Sequence, residues 1–158
     1  MVGRRRARLP RLMAHRLLLD VMLGRLAGYL RMCGYDTVYA LDRGVEADDT
    51  LRTIAEQEER TLVTRDVSLS QQTAKSILLR EREVKDQLRE LRTAGLTLEL
   101  TEPTFCGRCN GSLEPRPLDN PPEYVPDEVA ALWQCEECGQ CFWKGSHWQR
   151  VKQTLQSL

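Results

Sequence analysis

A chain of 158 residues with 41% hydrophobic content is long enough to bury one substantial core, and no apolar run in it approaches membrane-spanning length. Its formal charge is zero, from 23 basic and 23 acidic side chains, so no global field draws it to nucleic acid and any such binding rests on local patches. One domain with a small appendage, soluble and cytoplasmic, is the expected organisation.

The charge is unevenly placed. Residues 1–16 carry Arg4, Arg5, Arg6, Arg8, Arg11, Arg16 and His15 with no acid, leaving the remainder acidic. A flexible basic arm for RNA, an organelle-targeting segment, or a start set too early with Met13 as the true start all fit; we read it as a disordered arm or a mis-set start.

Leu17-Leu18-Leu19 reads as a strand ending at Asp20, and Met22, Leu23, Leu26, Ala27, Leu30 and Cys33 then recur at helical spacing until Gly34. Thr37 to Leu41 has strand composition and ends at Asp42. A helix capped by Asp48 or Asp49 continues through Leu51, Ile54 and Ala55, and TLVT forms a strand ending at Arg65-Asp66. Ser76 to Leu79 is a fourth strand candidate, residues 83–94 form a helix ended by Gly95, and Thr97 to Leu100 reads as a last short strand. Strands alternating with helices indicate an α/β domain over 17–101, a parallel sheet with flanking helices. Residues 102–158 follow as a second unit, with a proline-marked loop and a final helix near 145–157 that packs back.

That second unit carries two cysteine pairs, Cys106 and Cys109 in FCGRCN and Cys135 and Cys138 in QCEECG. Four thiolates in two tight pairs make a tetrahedral zinc site, so a C-terminal zinc ribbon with structural Zn is expected. Gly107, Asn110, Gly111 and Gly139 supply backbone tolerance at the turns. A thioredoxin-like redox pair needs a strand before and a helix after the CxxC, which neither pair has, and a disulfide framework fits neither the cysteine spacing nor the absence of a secretory signal. Cys141 extends the second pair and competes as a ligand on paper, but it and Cys33 are read as packing residues. Trp133, Trp143 and Trp148 flank the second pair and are read as the ribbon's own small core.

Three inferred strands end at an aspartate: Asp20, Asp42 and Asp66. In an open parallel sheet those ends share one edge, where ligands bind. Clustered carboxylates call for a hard divalent cation such as Mg or Mn, which suits phosphodiester hydrolysis. Arg25, Arg31 and Arg65 are candidate substrate-binding forks for RNA phosphates. Taken singly, Asp20 and Asp48 fit helix caps equally well, and Asp42 and Asp66 fit turns. No Gly-rich phosphate loop or dinucleotide fingerprint is present. His15 lies in the basic arm, and His147 reads as structural.

LLLDVMLGRLAGYLRMCGYDT, ADDTLRTIAEQEERTLVTRD, CGRCNGSL and WQCEECGQCFWKGSHWQR together resemble the Mut-seven C-terminal RNase family over roughly residues 17–151. The resemblance implies a PIN-like nuclease domain with a zinc ribbon at its carboxyl side, acting on RNA through acidic residues and magnesium or manganese. Asp20 matches the acid ending the first strand, Asp48 the acid at the D-x-x-L helix start and Asp66 the acid of TRD, with Asp49 and Asp42 as nearby reserves. On that reading Asp20, Asp48 and Asp66 are catalytic and bind Mg or Mn, and Cys106, Cys109, Cys135 and Cys138 bind Zn. The alternative is a non-catalytic RNA- or protein-binding module in which the aspartates are caps.

Overall fold

The computed structural model describes residues 16–158, so the basic arm before Arg16, including His15, lies outside the described residues. Strand β1 (Arg16–Leu19) is the centre of the fold. Leu17, Leu18 and Leu19 are all fully buried, as a strand covered on both faces demands. Their alternation divides the core: Leu17 and Leu19 join one apolar cluster, Leu18 the other.

A single 3-10 turn, Val21–Leu23, follows Asp20 and leads into helix α1 (Leu26–Met32), which turns Leu26, Ala27 and Leu30 inward. Gly34 ends it with φ 84°, a left-handed conformation that favours glycine. Strand β2 spans Asp36–Tyr39 and stops before the expected Asp42. Ala40–Arg43 instead winds as a 3-10 turn closed by Gly44 at φ 66°, so Asp42 lies on an exposed turn rather than at a strand end.

Helix α2 (Asp48–Gln57) has Ala47 at its cap position, so neither Asp48 nor Asp49 is the cap. Both acids sit in the first turn, where negative charge favours the unpaired amide end. After β3 (Thr61–Thr64) comes α3 (Val67–Gln72), a helix too short for its periodicity to be read from sequence. Strand β4 (Ser76–Leu78) and helix α4 (Val84–Thr93) follow near their expected positions.

The four strands form one parallel sheet in the order β2-β1-β3-β4. Helices α1 and α4 pack with Leu17, Leu19 and Val63 on one face, while α2 and α3 pack with Leu18, Val38 and Leu62 on the other. This is the α/β architecture read from the sequence.

Residues 97–100 are not a strand. Leu96 and Leu98 are buried while Thr97 and Glu99 are exposed, the alternation that mimics a strand. The backbone pairs elsewhere: Thr97 N–H donates to Tyr35 Oη (2.8 Å), and Tyr35 Oη donates to the Thr97 carbonyl (3.1 Å).

The C-terminal unit is a three-stranded antiparallel sheet of β5 (Leu113–Arg116), β6 (Leu132–Cys135) and β7 (Cys141–Phe142). Trp133 packs with Cys106, Leu113 and Cys135, and Trp143 packs beside Val125, Leu132 and Cys141. Helix α5 (Ser146–Gln156) returns to the larger domain, where Val151 and Leu155 join the Leu88 and Leu91 cluster. Among the described residues no helix is long and apolar enough to cross a membrane.

Candidate functional site

Two centres emerge, one of sulfur and one of carboxylates. Each CxxC folds into the same turn: Cys106 N–H donates to the Gly111 carbonyl (2.8 Å) and Asn110 N–H to the Cys106 carbonyl (2.8 Å). In the second pair Cys135 N–H donates to the Gln140 carbonyl (2.9 Å) and Gly139 N–H to the Cys135 carbonyl (3.1 Å). Asn110 at φ 69° and Gly139 at φ 77° occupy the left-handed position of each turn. Gly111 is required for a different reason, because a Cβ there would lie 2.7 Å from Cys135 Sγ and 2.6 Å from Glu137 Cγ.

The four sulfurs lie within 4.8 Å of one another, and none is in a disulfide. Cys106 and Cys138 Sγ are 3.7 Å apart, and Cys109 and Cys135 Sγ are 3.5 Å apart. A tetrahedron with Zn–S bonds of about 2.3 Å has edges of about 3.8 Å, so these four cysteines fit one zinc ion. Burial pushes the Cys106 thiol up to about 12 and raises that of Cys109. Burial also acts upward on Cys135, but the amides of Cys138 and Glu137, together with hydrogen bonds to the thiols of Cys109 and Cys138, outweigh it and bring that thiol down to about 7. Cys141 is outside the group, buried with Val125 and Leu132 and accepting from Arg116 Nη1 at 3.2 Å. Cys33 is likewise a core residue, its thiol pushed up to about 12 by burial.

The first knuckle is fastened to the α/β sheet. Asn110 Oδ1 accepts from Thr37 N–H (2.9 Å), and its Nδ2 donates to Asp36 Oδ1 (2.7 Å), so one side chain completes the open edge of β2. Asp36 also accepts from the buried Arg60 (2.8 Å). Arg31, expected to meet substrate, belongs to this junction: it is buried, donates to the carbonyls of Thr37 (3.0 Å) and Gly107 (3.0 Å), and pairs with Asp42 (3.5 Å). Its guanidinium holds ribbon to sheet and faces no open site.

The second centre lies at the carboxyl edge of the parallel sheet. From β1 the chain passes to β2 on one side and, later, β3 lies on the other, which makes the β1/β3 boundary the point where strand order reverses and a crevice opens. Asp20 and Asp66 stand there. Asp20 is 5% exposed, with Oδ1 accepting from Val21 N–H (2.7 Å) and Oδ2 from the Thr64 hydroxyl (2.6 Å). The same Thr64 oxygen accepts from Asp66 N–H (3.0 Å), and Asp66 Oδ1 caps α3 by accepting from Leu69 N–H (2.9 Å). Thr64 thus links the two acids. Asp48 lies exposed on the first turn of α2, Asp49 pairs with Arg52 (2.5 Å), and Asp42 pairs with Arg31. Asp20, Asp48 and Asp66 do not close to within the 4.8 Å spacing seen for the sulfurs.

Beside Asp20 opens a cleft of about 460 Å³ whose lining includes Met22, Arg25, Tyr39, Arg65, Arg82 and Gln87. Tyr39 forms a wall, its hydroxyl donating to the Val21 carbonyl (2.6 Å). Burial raises the Tyr39 phenol first of all, and the charges of Asp42 and Asp20 raise it further. No aspartate lines this cleft itself, which adjoins Asp20 through Val21 and Asp66 through Arg65; a larger cavity of about 570 Å³, between α4, residues 96–100 and α5, is remote in sequence from both acids. Arg25 and Arg65, two of the arginines singled out in the sequence, line the cleft beside Asp20, and Arg82 joins them there. It sits in the charged run RERE before α4, where nothing in composition separates it from a solvated surface residue.

No curated protein and no solved structure matches this sequence. The family model described as the Mut7-C RNAse domain matches residues 15–155, nearly the whole chain, spanning the strand-end aspartates and all four zinc-spaced cysteines. The chain belongs to the Mut7-C RNAse domain family.

Proposed function

We propose that this protein is a metal-dependent ribonuclease whose reaction centre is the β1/β3 edge, with Asp20, Asp66 and Asp48 serving a magnesium or manganese ion. The observation that supports this most is the pairing of Asp20 and Asp66 through Thr64 at the strand-order reversal, next to a cleft lined by arginines. A divalent cation there would supply an activated water and neutralise charge on the phosphorus oxygens. The protein's own part is to hold the acids in place. Thr64 and the Val21 amide orient Asp20, and Asp66 Oδ2 has no hydrogen-bond partner among the described residues after the cap bond of Oδ1. Arg25 and Arg65 would neutralise and orient the backbone phosphates of RNA. Hydrolysis in this arrangement leaves a 5′-phosphate and a 3′-hydroxyl; a cyclic phosphate product would refute it.

In this reading residues 17–101 carry the reaction and 102–158 form the zinc ribbon, with the last helix shared between them. Six unpaired thiols fit a reducing compartment, the cytoplasm.

The competing reading is a non-catalytic RNA-binding module, favoured by the cap bonds that both aspartates make. Asp66→Asn separates the two. Asparagine caps a helix about as well as aspartate, so the fold survives while the charge is lost. Wild-type and variant, equally zinc-loaded, are incubated with single-stranded and structured RNAs with manganese, with magnesium, and with neither. Metal-dependent cleavage that falls by about a hundredfold or more in a variant of unchanged melting temperature supports the nuclease. RNA bound but intact under every condition supports the binding module.

A further inference from the structure

The described arginines divide into two populations. Arg16, Arg31, Arg43, Arg52, Arg60 and Arg89 each lie within ion-pair distance of a carboxylate. The others, Arg80, Arg108, Arg116 and Arg150 among them, have no such partner among the described residues, and Arg25, Arg65 and Arg82 are the three of these that line the cleft beside Asp20. Arg65 Nε is enclosed by protein and has no hydrogen-bond partner, which is costly for a charged group unless a ligand completes it. Three guanidiniums brought together from three separate segments, the turn after β1, the end of β3 and the loop before α4, repel one another. Such an arrangement is offset when an anion sits among them.

Resting on the ribonuclease reading, we propose that this cleft is a phosphate subsite for the RNA strand flanking the cleaved bond, with Arg82 as a substrate-positioning residue. The cleft's volume of about 460 Å³ suits one nucleotide rather than a duplex. Its position fixes the direction: a strand whose scissile phosphate lies at Asp20 and Asp66 continues over the Val21–Leu23 turn toward the start of α4. Arg82 is exposed and Arg65 half-buried, so the outer end of the subsite is screened by solvent and the inner end is not. Arg82 touches no reacting atom here; it acts by holding a neighbouring phosphate in register.

The test is the salt dependence of binding, measured with a short single-stranded oligoribonucleotide and no added divalent cation, alongside cleavage kinetics with manganese. Losing one phosphate contact lowers the slope of log affinity against log salt by about 0.7. Arg82→Gln is expected to lower the slope by that amount and to raise KM about fivefold while kcat changes less than about twofold. Arg82→Lys keeps the charge and holds the slope, whereas Arg80→Gln, two residues away and outside the cleft, changes neither. Wild-type cleavage with an unchanged slope and KM in Arg82→Gln would overturn the subsite and leave the ribonuclease standing. RNA bound but uncut, with the slope still lowered in Arg82→Gln, would keep the subsite and sink the nuclease. A wild-type protein that neither binds nor cleaves RNA would overturn both.

Discussion

Replacing Asn110 by alanine should unfasten the zinc ribbon from the sheet and destabilise the whole protein. Asn110 makes two bonds across the junction, accepting from Thr37 N–H at 2.9 Å and donating to Asp36 Oδ1 at 2.7 Å. Thr37 is fully buried, so its amide would be left unsatisfied, at about 1–3 kcal/mol, and the bond to a carboxylate contributes about 1.5–3 kcal/mol. The φ of 69° adds about 1 kcal/mol, because alanine tolerates the left-handed region less well than asparagine. Allowing for relaxation, the total is about 3–5 kcal/mol, or a melting temperature lower by about 10 °C for a chain of this size. Asn110→Gly removes the bonds but not the backbone fit, and should recover about 1 kcal/mol of the loss. Denaturant unfolding of the zinc-loaded proteins measures both, and a double-mutant cycle with Asp36→Asn should give a coupling of at least about 1 kcal/mol. A cost below about 1 kcal/mol for Asn110→Ala, or a zero coupling, would refute the junction as a structural bridge.

Other expectations follow from the same geometry. The Glu58 carboxyl is brought down to about 2, chiefly by the hydrogen bond from Arg43, against an opposing push from burial and with further help from Arg60. Its contribution is therefore present above the ordinary carboxylate range and lost as pH falls through about 2, and Glu58→Gln should remove on the order of 2 kcal/mol at about pH 6 but little at about pH 2. Comparing the two proteins' unfolding midpoints across that range tests it, since acid release of zinc affects both alike. Gly111→Ala drives a Cβ to 2.7 Å from Cys135 Sγ, so zinc affinity should fall at least about tenfold in competition with a chromophoric chelator, while wild-type binds one ion per chain. Gly24→Ala places a Cβ 2.8 Å from the Tyr39 ring and should displace it from the Val21 carbonyl, lowering stability by about 1–3 kcal/mol in thermal melts.

What could be read from sequence is what is written in short spans. Two CxxC turns each bring two sulfurs together by local backbone geometry, so the four cysteines that could hold zinc were legible without knowledge of the fold. The apolar spacing of α1, α2 and α4 and the buried runs of β1 and β3 were likewise legible, because helix and strand periods are local properties. The same locality misled at residues 97–100, where alternation is present but the backbone bonds to Tyr35 instead of a strand. It misled again at β2, since nothing in TVYAL announces that Ala40–Arg43 will curl.

The site shows the division most sharply. The aspartates at the ends of β1 and β3 were visible as residues, but their partnership depends on β3 lying beside β1, and Thr64 as their link follows only from that neighbour relation. Arg31 and Arg82 look alike in sequence, two arginines near helix ends. Packing buries the first against Gly107 and the Thr37 carbonyl and leaves the second unpaired at the cleft. Ligand sets joined by a single turn are determined by the chain itself, whereas the fate of a long charged side chain depends on which distant surface arrives within its reach, and only the tertiary structure decides that.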